Sequence, residues 1–561
     1  MDLDLLVRGG LVVDGSGLPG YRADVGVKDG RVAEVGHLAG RSAAQVIDAD
    51  GLVVAPGFID VHTHFDGQMF WDPYGTSSPQ HGVTSVVMGN CGLTLAPVKD
   101  EDRDHLISSL VRVEAIPRQV LEEGVPWGWR SFGDYLDALD GNVGINVGGL
   151  VGHIALRHYV MGADSLEREA TDDEVAGMKA LLADSLAGGA LGLSTNRNNR
   201  HVREDGRPVS SRLASDGEVH ALAEVLRDLN TGIVLVSGGP KYAAIDELAR
   251  HSERPVVWLS VVHHYSNPTR WREQLDNIGA TFRDGYRAYA MTHTAPQWSV
   301  FNMKNSQRFD EFPTWRNLMF IPDAERKQAM GDPATRAKLA DELADPRPTT
   351  FHRRWDLVEV TKAARPENQR FRGKNILQVA EMRGQTPLDA FLDLSIEEDL
   401  EAEFQTPSSG GDPEATGEIL RNPYILAGLS DAGAHVQFRA DNGFSTTLLS
   451  MWVRDHKVLS LEEAVFKLTF QLASVYGLEG RGLLRPGYHA DMAIFDADTV
   501  RPCESEWTDD YPAHTRRMIQ RSEGLEYTIV NGRVIYHDDR FTGDLPGQIL
   551  RGSGYRAAVA V

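Results

Sequence analysis

An alternation along the middle of the chain constrains its fold more than any other feature. Short apolar runs at 57–61, 83–88, 145–147, 190–193, 233–236, 256–262, 286–291 and 424–427 are separated by stretches with helical patterning. Thr171-Asp-Asp-Glu174 and Ser460-Leu-Glu-Glu463 have the form of capping boxes, and Thr386-Pro387 places proline in a first helical turn. Strands that alternate with helices imply a parallel sheet with helical crossovers. Eight such strands across 57–483 favour a closed (β/α)8 barrel of the TIM type over an open sheet, an α/β fold. The charged, Pro- and Trp-bearing stretch 300–420 is expected as an insertion over the barrel mouth, because a structureless loop of that length is uncommon.

The two ends of the chain follow another rhythm. Apolar runs within 1–56 are punctuated by Gly9-Gly10, Asp14-Gly15, Asp29-Gly30 and Asp50-Gly51. Near the other end, runs at 491–495 and 527–530 lead to Asn531-Gly532 and then to 533–536. Asp-Gly and Asn-Gly between strand-like runs are hairpin signals, since such turns require positive φ. Residues 1–56 plus 484–561 are therefore expected to form a small β-sandwich domain built from both ends.

Charge narrows the partners. Lys plus Arg number 57 against 80 Asp plus Glu, a net charge of −23, which argues against a nucleic-acid or anionic-membrane binder. Cys91 and Cys503 are the two cysteines, too few for a disulfide framework. Met-Asp-Leu-Asp-Leu at the start lacks the basic and apolar regions of a signal peptide, and no uninterrupted apolar run reaches transmembrane length. A soluble cytoplasmic protein acting on a small molecule is expected, with a homo-oligomer allowed.

Chemistry concentrates at strand ends. In Pro56-Gly-Phe-Ile-Asp-Val-His62-Thr-His64 the two histidines stand at i and i+2, so on a strand they point to one side. Two imidazoles at the C-terminal end of a barrel strand suit Zn²⁺ or a similar divalent ion. Cys91, the pair His263-His264, His293 and Asp431 follow four other predicted strands. Any one alone reads as a core histidine or an inert thiol; their recurrence at strand ends points to a metal site. A zinc ion lowers the pKa of its water to about 7 and polarises a carbonyl, the two things amide hydrolysis needs. Asp431 suits the proton shuttle between water and leaving nitrogen. The rival reading, a Cys91 nucleophile with a histidine base, leaves most of the histidines without a task. A substrate carboxylate would need a cation, and Arg157, Arg197, Arg200 and Arg439 lie near strand ends. His153, His263 and His435 are candidates to orient the metal donors from behind.

Gly57-Phe-Ile-Asp-Val-His-Thr-His64 resembles the first-strand signature of the amidohydrolase superfamily. Gly89-Asn-Cys-Gly92, Gly152-His153 with Leu156-Arg157, Gly189-Ala-Leu-Gly-Leu-Ser194, the 260–264 segment and Ser430-Asp431 resemble, in order, its N-acyl-D-amino-acid deacylase branch, the D-aminoacylases. The Asn-Cys-Gly element is the specific part, because most of the superfamily bridges its metals with a carbamylated lysine or a glutamate. The resemblance implies one or two Zn²⁺ ions held by His62, His64, a bridging Cys91, His264, His293 and Asp431, with His264 taken over His263. It implies hydrolysis of linear N-acyl-D-amino acids by a metal-activated water, with Asp431 as shuttle; the D preference comes from the resemblance alone. Two places depart from the pattern: Asn196-Arg-Asn-Asn-Arg200 replaces a Gly-Leu-aromatic turn, and Ser237-Gly-Gly-Pro240 replaces a polar His/Arg element. The pattern also puts the two later histidines on strands five and six, whereas here they follow strands six and seven, so one predicted strand is expected to lie outside the barrel and another within 300–420.

Two other functions compete. A cyclic-amide hydrolase of the dihydropyrimidinase type would want a strand-end lysine, for which Lys241 is the nearest candidate. A catalytically silent barrel acting as an interaction scaffold would be expected to have lost ligands, and none is visibly lost.

Overall fold

The computed structural model describes residues 2–238, 242–304, 306, 308–347, 349, 351–437 and 439–556. Lys241 lies outside them. The chain divides into two compact units, one of Met1–Val261, Gln274–Thr294 and Ile419–Val561, the other of Val262–Glu273 and Ala295–Glu418.

The first unit is an α/β structure. Its central strands are β1 (Phe58–Asp60), β2 (Val83–Met88), β3 (Asn146–Gly149, resuming as Val151–Gly152), β4 (Gly192–Asn196), β5 (Ile233–Ser237), β6 (Val256–Leu259), β7 (Ala288–Met291) and β8 (Ile425–Leu426). They pair in parallel in chain order, β1 to β3 in one sheet and the second half of β3 to β8 in another. A parallel bridge between Thr63 and Ala432 follows the ends of β1 and β8. Nearly every residue of these strands is buried, which explains why they read in sequence as continuous apolar runs rather than alternating ones. All eight predicted segments take part in the pairing. The histidine pair at 263–264 and His293 follow the sixth and seventh of these strands.

The predicted helix starts form as the side chains dictate. Thr171 with Glu174, and Ser460 with Glu463, close reciprocal capping boxes, and Thr386 caps a helix whose first residue is Pro387.

Both chain ends meet in a nine-stranded sheet. Leu3–Val12 pairs with Tyr21–Lys28, Ala43–Asp48 and Val53–Pro56, and Val53–Pro56 pairs antiparallel with Met492–Phe495. Its core holds Leu5, Val7, Val25, Val27, Ile47, Val54, Met492, Ile494 and Ile529. The turns Asp29-Gly30 and Asn531-Gly532 carry positive φ at both residues, as the dipeptides require.

The second unit has its own core, including Phe301, Phe309, Trp315, Phe351, Phe391 and Phe404, and an antiparallel sheet of Gln297–Phe301, Glu403–Ser409 and Glu359–Lys362. No helix among the described residues is long and apolar enough to cross a membrane.

Candidate metal centre

The centre is assembled where β1 and β8 end. Past the last ladder residue of β1 the chain keeps its extended course, so His62 and His64 face the same side with ring centroids 5.3 Å apart. The backbone of the other strand end locks onto them: Asp431 N–H donates to His62 O at 3.1 Å, and His64 N–H donates to Ala432 O at 2.7 Å. Asp60, buried, accepts from His62 N–H at 3.2 Å and from Ser430 Oγ at 2.5 Å, which ties the two segments a second time. Asp431 is thereby delivered beside both imidazoles.

Cys91 arrives on the turn after β2. The added Cβ of any other residue at Gly89 would stand 2.1 Å from Leu150 O, so only glycine lets this turn pass β3. Asn90 Nδ2 donates to Val87 O at 2.9 Å and to Thr63 O at 3.2 Å, binding the Asn-Cys-Gly turn to the histidine segment. Asn196 Nδ2 donates to Cys91 O at 2.9 Å, and Gly92 N–H donates to Ser194 Oγ at 3.1 Å. Cys91, Asp431 and His435 all have positive φ, an uncommon conformation for side-chain-bearing residues that tends to mark functional sites.

The donors converge. Asp431 Oδ1 is 3.5 Å from His62 Nε2 and 3.4 Å from His64 Nε2, and Cys91 Sγ is 3.7 Å from His62 Nε2. Zinc bond lengths of about 2.0 Å to nitrogen and 2.3 Å to sulfur put neighbouring donors of a tetrahedral site roughly 3.3–3.6 Å apart. The donor set therefore fits a divalent ion. His62 Nδ1 and both ring nitrogens of His64 are buried without a hydrogen-bond partner, a costly arrangement unless something else binds them.

Charge is strongly coupled here. Burial raises the Asp431 carboxyl, but His62 and His64 hold it well below the usual carboxylate range. Burial draws His62 down, while Asp431 and Cys91 hold it up at about 9. Burial pushes the Cys91 thiol up, and the two imidazoles bring it down to about 6, which favours the thiolate that metals bind.

Two groups of three donors lie within 4.8 Å, His62/His64/Cys91 and His64/Glu114/Asp431. His293, half-buried after β7, is in neither. His263 and His264 belong to the second unit, where His263 is buried against Tyr265 and His264 is exposed. His435 reaches the first unit's cluster, its Nε2 standing 3.8 Å from Asp431 Oδ2.

The expected cationic residues are placed differently from one another. Arg157, expected at a substrate carboxylate, is fully buried and engaged by Glu218 and by Arg168 O, the latter at 2.9 Å. His153, on the same helix, bonds Thr195 Oγ1 and Glu218 Oε1, each at 2.8 Å. Arg197 pairs with Asp216 at 3.0 Å, and Arg200 is exposed. Arg439 holds Asp431 Oδ2 at 2.9 Å and Asp441 at 2.7 Å.

Three further residues of the site were not named as site residues from the sequence. Glu114 ends a helix with no motif around it. Ser237 Oγ lies 3.3 Å from Cys91 Sγ, at the strand end where the family's polar element is replaced. Asn90 was legible only as part of Asn-Cys-Gly.

Comparison with known proteins places this geometry. Residues 45–536 match the amidohydrolase family. D-aminoacylase of Alcaligenes xylosoxydans xylosoxydans is 29% identical, over 98% of this chain and 97% of that protein. A D-aminoacylase structure with a binuclear metal centre, in which one metal activates and the second attenuates, aligns with TM-score 0.67 and 28% identity over 98% of this chain and 100% of that one. N-acyl-D-glutamate deacylase of Bordetella bronchiseptica, solved with zinc and a phosphonate mimic of the tetrahedral intermediate, aligns with TM-score 0.66 and 26% identity, over 98% and 100% of the two chains.

Proposed function

Because the chain belongs to the amidohydrolase family, a family of hydrolases acting on carbon–nitrogen bonds, we propose that it hydrolyses the linear amide of N-acyl-D-amino acids at a zinc centre of one or two ions. The observation that carries this reading is the convergence of His62, His64, Cys91 and Asp431 at donor spacing, with imidazole nitrogens otherwise unbonded. The relatives named above supply the substrate class and the zinc. The proposed donors are these four; His264 and His293 are not drawn upon.

When bound, a zinc ion polarises the amide carbonyl and lowers the pKa of water. The chain's own residues do the rest. Asp431 takes a proton from the attacking water, whose oxygen bonds to the acyl carbon, and delivers it to the nitrogen as the C–N bond breaks. A carboxylic acid and a free amine result, and the acid's remaining proton passes to the amine to leave a carboxylate and the amino acid's ammonium form. Arg439 orients Asp431 through Oδ2, leaving Oδ1 toward the histidines. Arg197 and Arg200, on the turn after β4, are the proposed contacts of the substrate carboxylate.

The same reading takes the two parallel sheets as one closed (β/α)8 barrel. The Thr63–Ala432 bridge joins the ends of β1 and β8, and one apolar cluster gathers Ile59, Val87, Leu150, Leu191, Leu235, Val257, Met291 and Leu426, a residue in or beside each strand. A sheet of eight strands brings all its inward side chains together only by curling round on itself. In domain terms, 1–56 with 484–561 forms the β domain and 57–483 the catalytic one, interrupted by the insertion at 300–420.

Metal analysis followed by a panel of D and L N-acetyl and N-formyl amino acids tests the proposal. The expected result is about one to two zinc per chain, hydrolysis of D substrates, and loss of activity on chelation. Opening of hydantoins with no linear-amide activity would replace it with the cyclic-amide reading, and absence of metal with the scaffold.

A further inference from the structure

Glu114 stands apart from every expectation drawn from the sequence. It caps the C-terminus of α1 (Arg103–Val113), where its own N–H closes the helix on Leu110 O at 3.0 Å. Its carbonyl accepts from His435 N–H at 2.6 Å. Held at both backbone groups, it sends its side chain inward, 3% exposed. Oε2 lies 3.5 Å from His64 Nε2 and 3.9 Å from His435 Nε2. Oε1 has no hydrogen-bond partner. Among the described residues its ion-pair partners within 4.0 Å are these two histidines. A buried carboxylate in such surroundings is expensive to keep unless a cation compensates it.

We infer that Glu114 is an oxygen ligand of the metal centre. His64, Glu114 and Asp431 offer one donor atom each within 4.8 Å, His64 being shared with the group that contains Cys91, and carboxylate oxygens accept divalent ions alongside imidazole. The centre of this chain then draws on a thiolate and on two carboxylates, Glu114 and Asp431. The second carboxylate comes from the helix after β2 and not from a strand end. This inference rests on the metal centre proposed above.

Chelator-stripped protein titrated with Zn²⁺, and separately with Co²⁺ monitored by its visible spectrum, tests it on wild type, Glu114→Gln and Glu114→Asp. Glu114→Gln keeps the shape and removes the charge. Its zinc dissociation constant should rise at least tenfold or its stoichiometry drop by one equivalent, with an altered cobalt spectrum, while Glu114→Asp should bind between the two. Circular dichroism reports folding. If Glu114→Gln does not fold, an Asp variant with wild-type affinity and cobalt spectrum overturns the assignment. Wild-type stoichiometry, spectrum and affinity within twofold in folded Glu114→Gln overturn it too, and leave the metal centre itself standing. Wild type that binds neither ion removes the centre and Glu114's role together.

Discussion

Two buried clusters in the first unit contain the same kinds of side chain and stand for opposite things. At His153 both ring nitrogens are bonded, to Thr195 and Glu218, and Glu218 in turn holds Arg157. Burial keeps the His153 imidazole below its ordinary pKa, against the pull of Glu218. At His64 neither ring nitrogen has a hydrogen bond, and two carboxylates and a thiol crowd it instead. In the first cluster the imidazole is satisfied by protein; in the second it is left for a cation. Burial and residue type do not separate a structural histidine from a functional one. Between these two histidines, satisfaction of the ring nitrogens does.

The strongest way to break this contrast is to remove a donor. Cys91→Ala should lower zinc affinity by more than the roughly 10–100-fold typical of outer partners, and activity with it, while leaving the helix around His153 intact. Metal content by mass spectrometry checks it, and full metal in the variant would reduce Cys91 to a packing residue.

Next is the shuttle. Asp431→Asn keeps the size and loses the base, so kcat should fall by about 10²–10⁴-fold with less metal lost than in Cys91→Ala. Steady-state kinetics on the zinc-loaded variant decide it; near-normal kcat would send the search for a base to His435.

The closed cluster should answer in stability instead. Arg157→Leu leaves Glu218 buried without its guanidinium, which should cost about 3–5 kcal/mol in chemical denaturation. Metal per folded molecule should not change. Loss of metal at unchanged stability would erase the distinction between the clusters.

The smallest effect sharpens the point at a third histidine. His81 is buried with both nitrogens bonded, to Thr446 at 2.8 Å and Gln520 O at 2.9 Å, and burial lowers its pKa to about 4. The unfolded imidazole takes its proton near 6.5. The folded one resists until about pH 4, so its stabilisation is complete above 6.5 and is lost as pH falls from 6.5 to 4. At about 1.4 kcal/mol per pH unit that is roughly 3 kcal/mol. His81→Gln should flatten the slope of unfolding free energy between pH 6.5 and 4, measured against wild type; an unchanged slope would assign the acid sensitivity elsewhere.

Much of this was legible because it is local. The parallel strands showed as apolar runs, since a strand buried on both faces needs nothing else. The capping boxes showed because three residues suffice to write one. His62 and His64 showed because a period of two puts them on one side wherever the strand goes. Asp29-Gly30 and Asn531-Gly532 showed because few dipeptides tolerate their φ angles.

Other features depend on which distant segments meet. Arg157 was expected at a substrate carboxylate, and the structure buries it against Glu218 on another helix. Glu114 carried no motif, and its carboxylate is buried beside His64 and His435. Asp431 reaches His62 and His64 through backbone hydrogen bonds between the ends of β1 and β8, some 370 residues apart in sequence. Sequence alone therefore determined the elements, their turns and the first histidine pair, through propensity, period and steric limits on φ. Only the tertiary structure decided which buried polar atoms are satisfied by protein and which are left for an ion, because hydrogen-bond satisfaction belongs to contacts made across the whole chain.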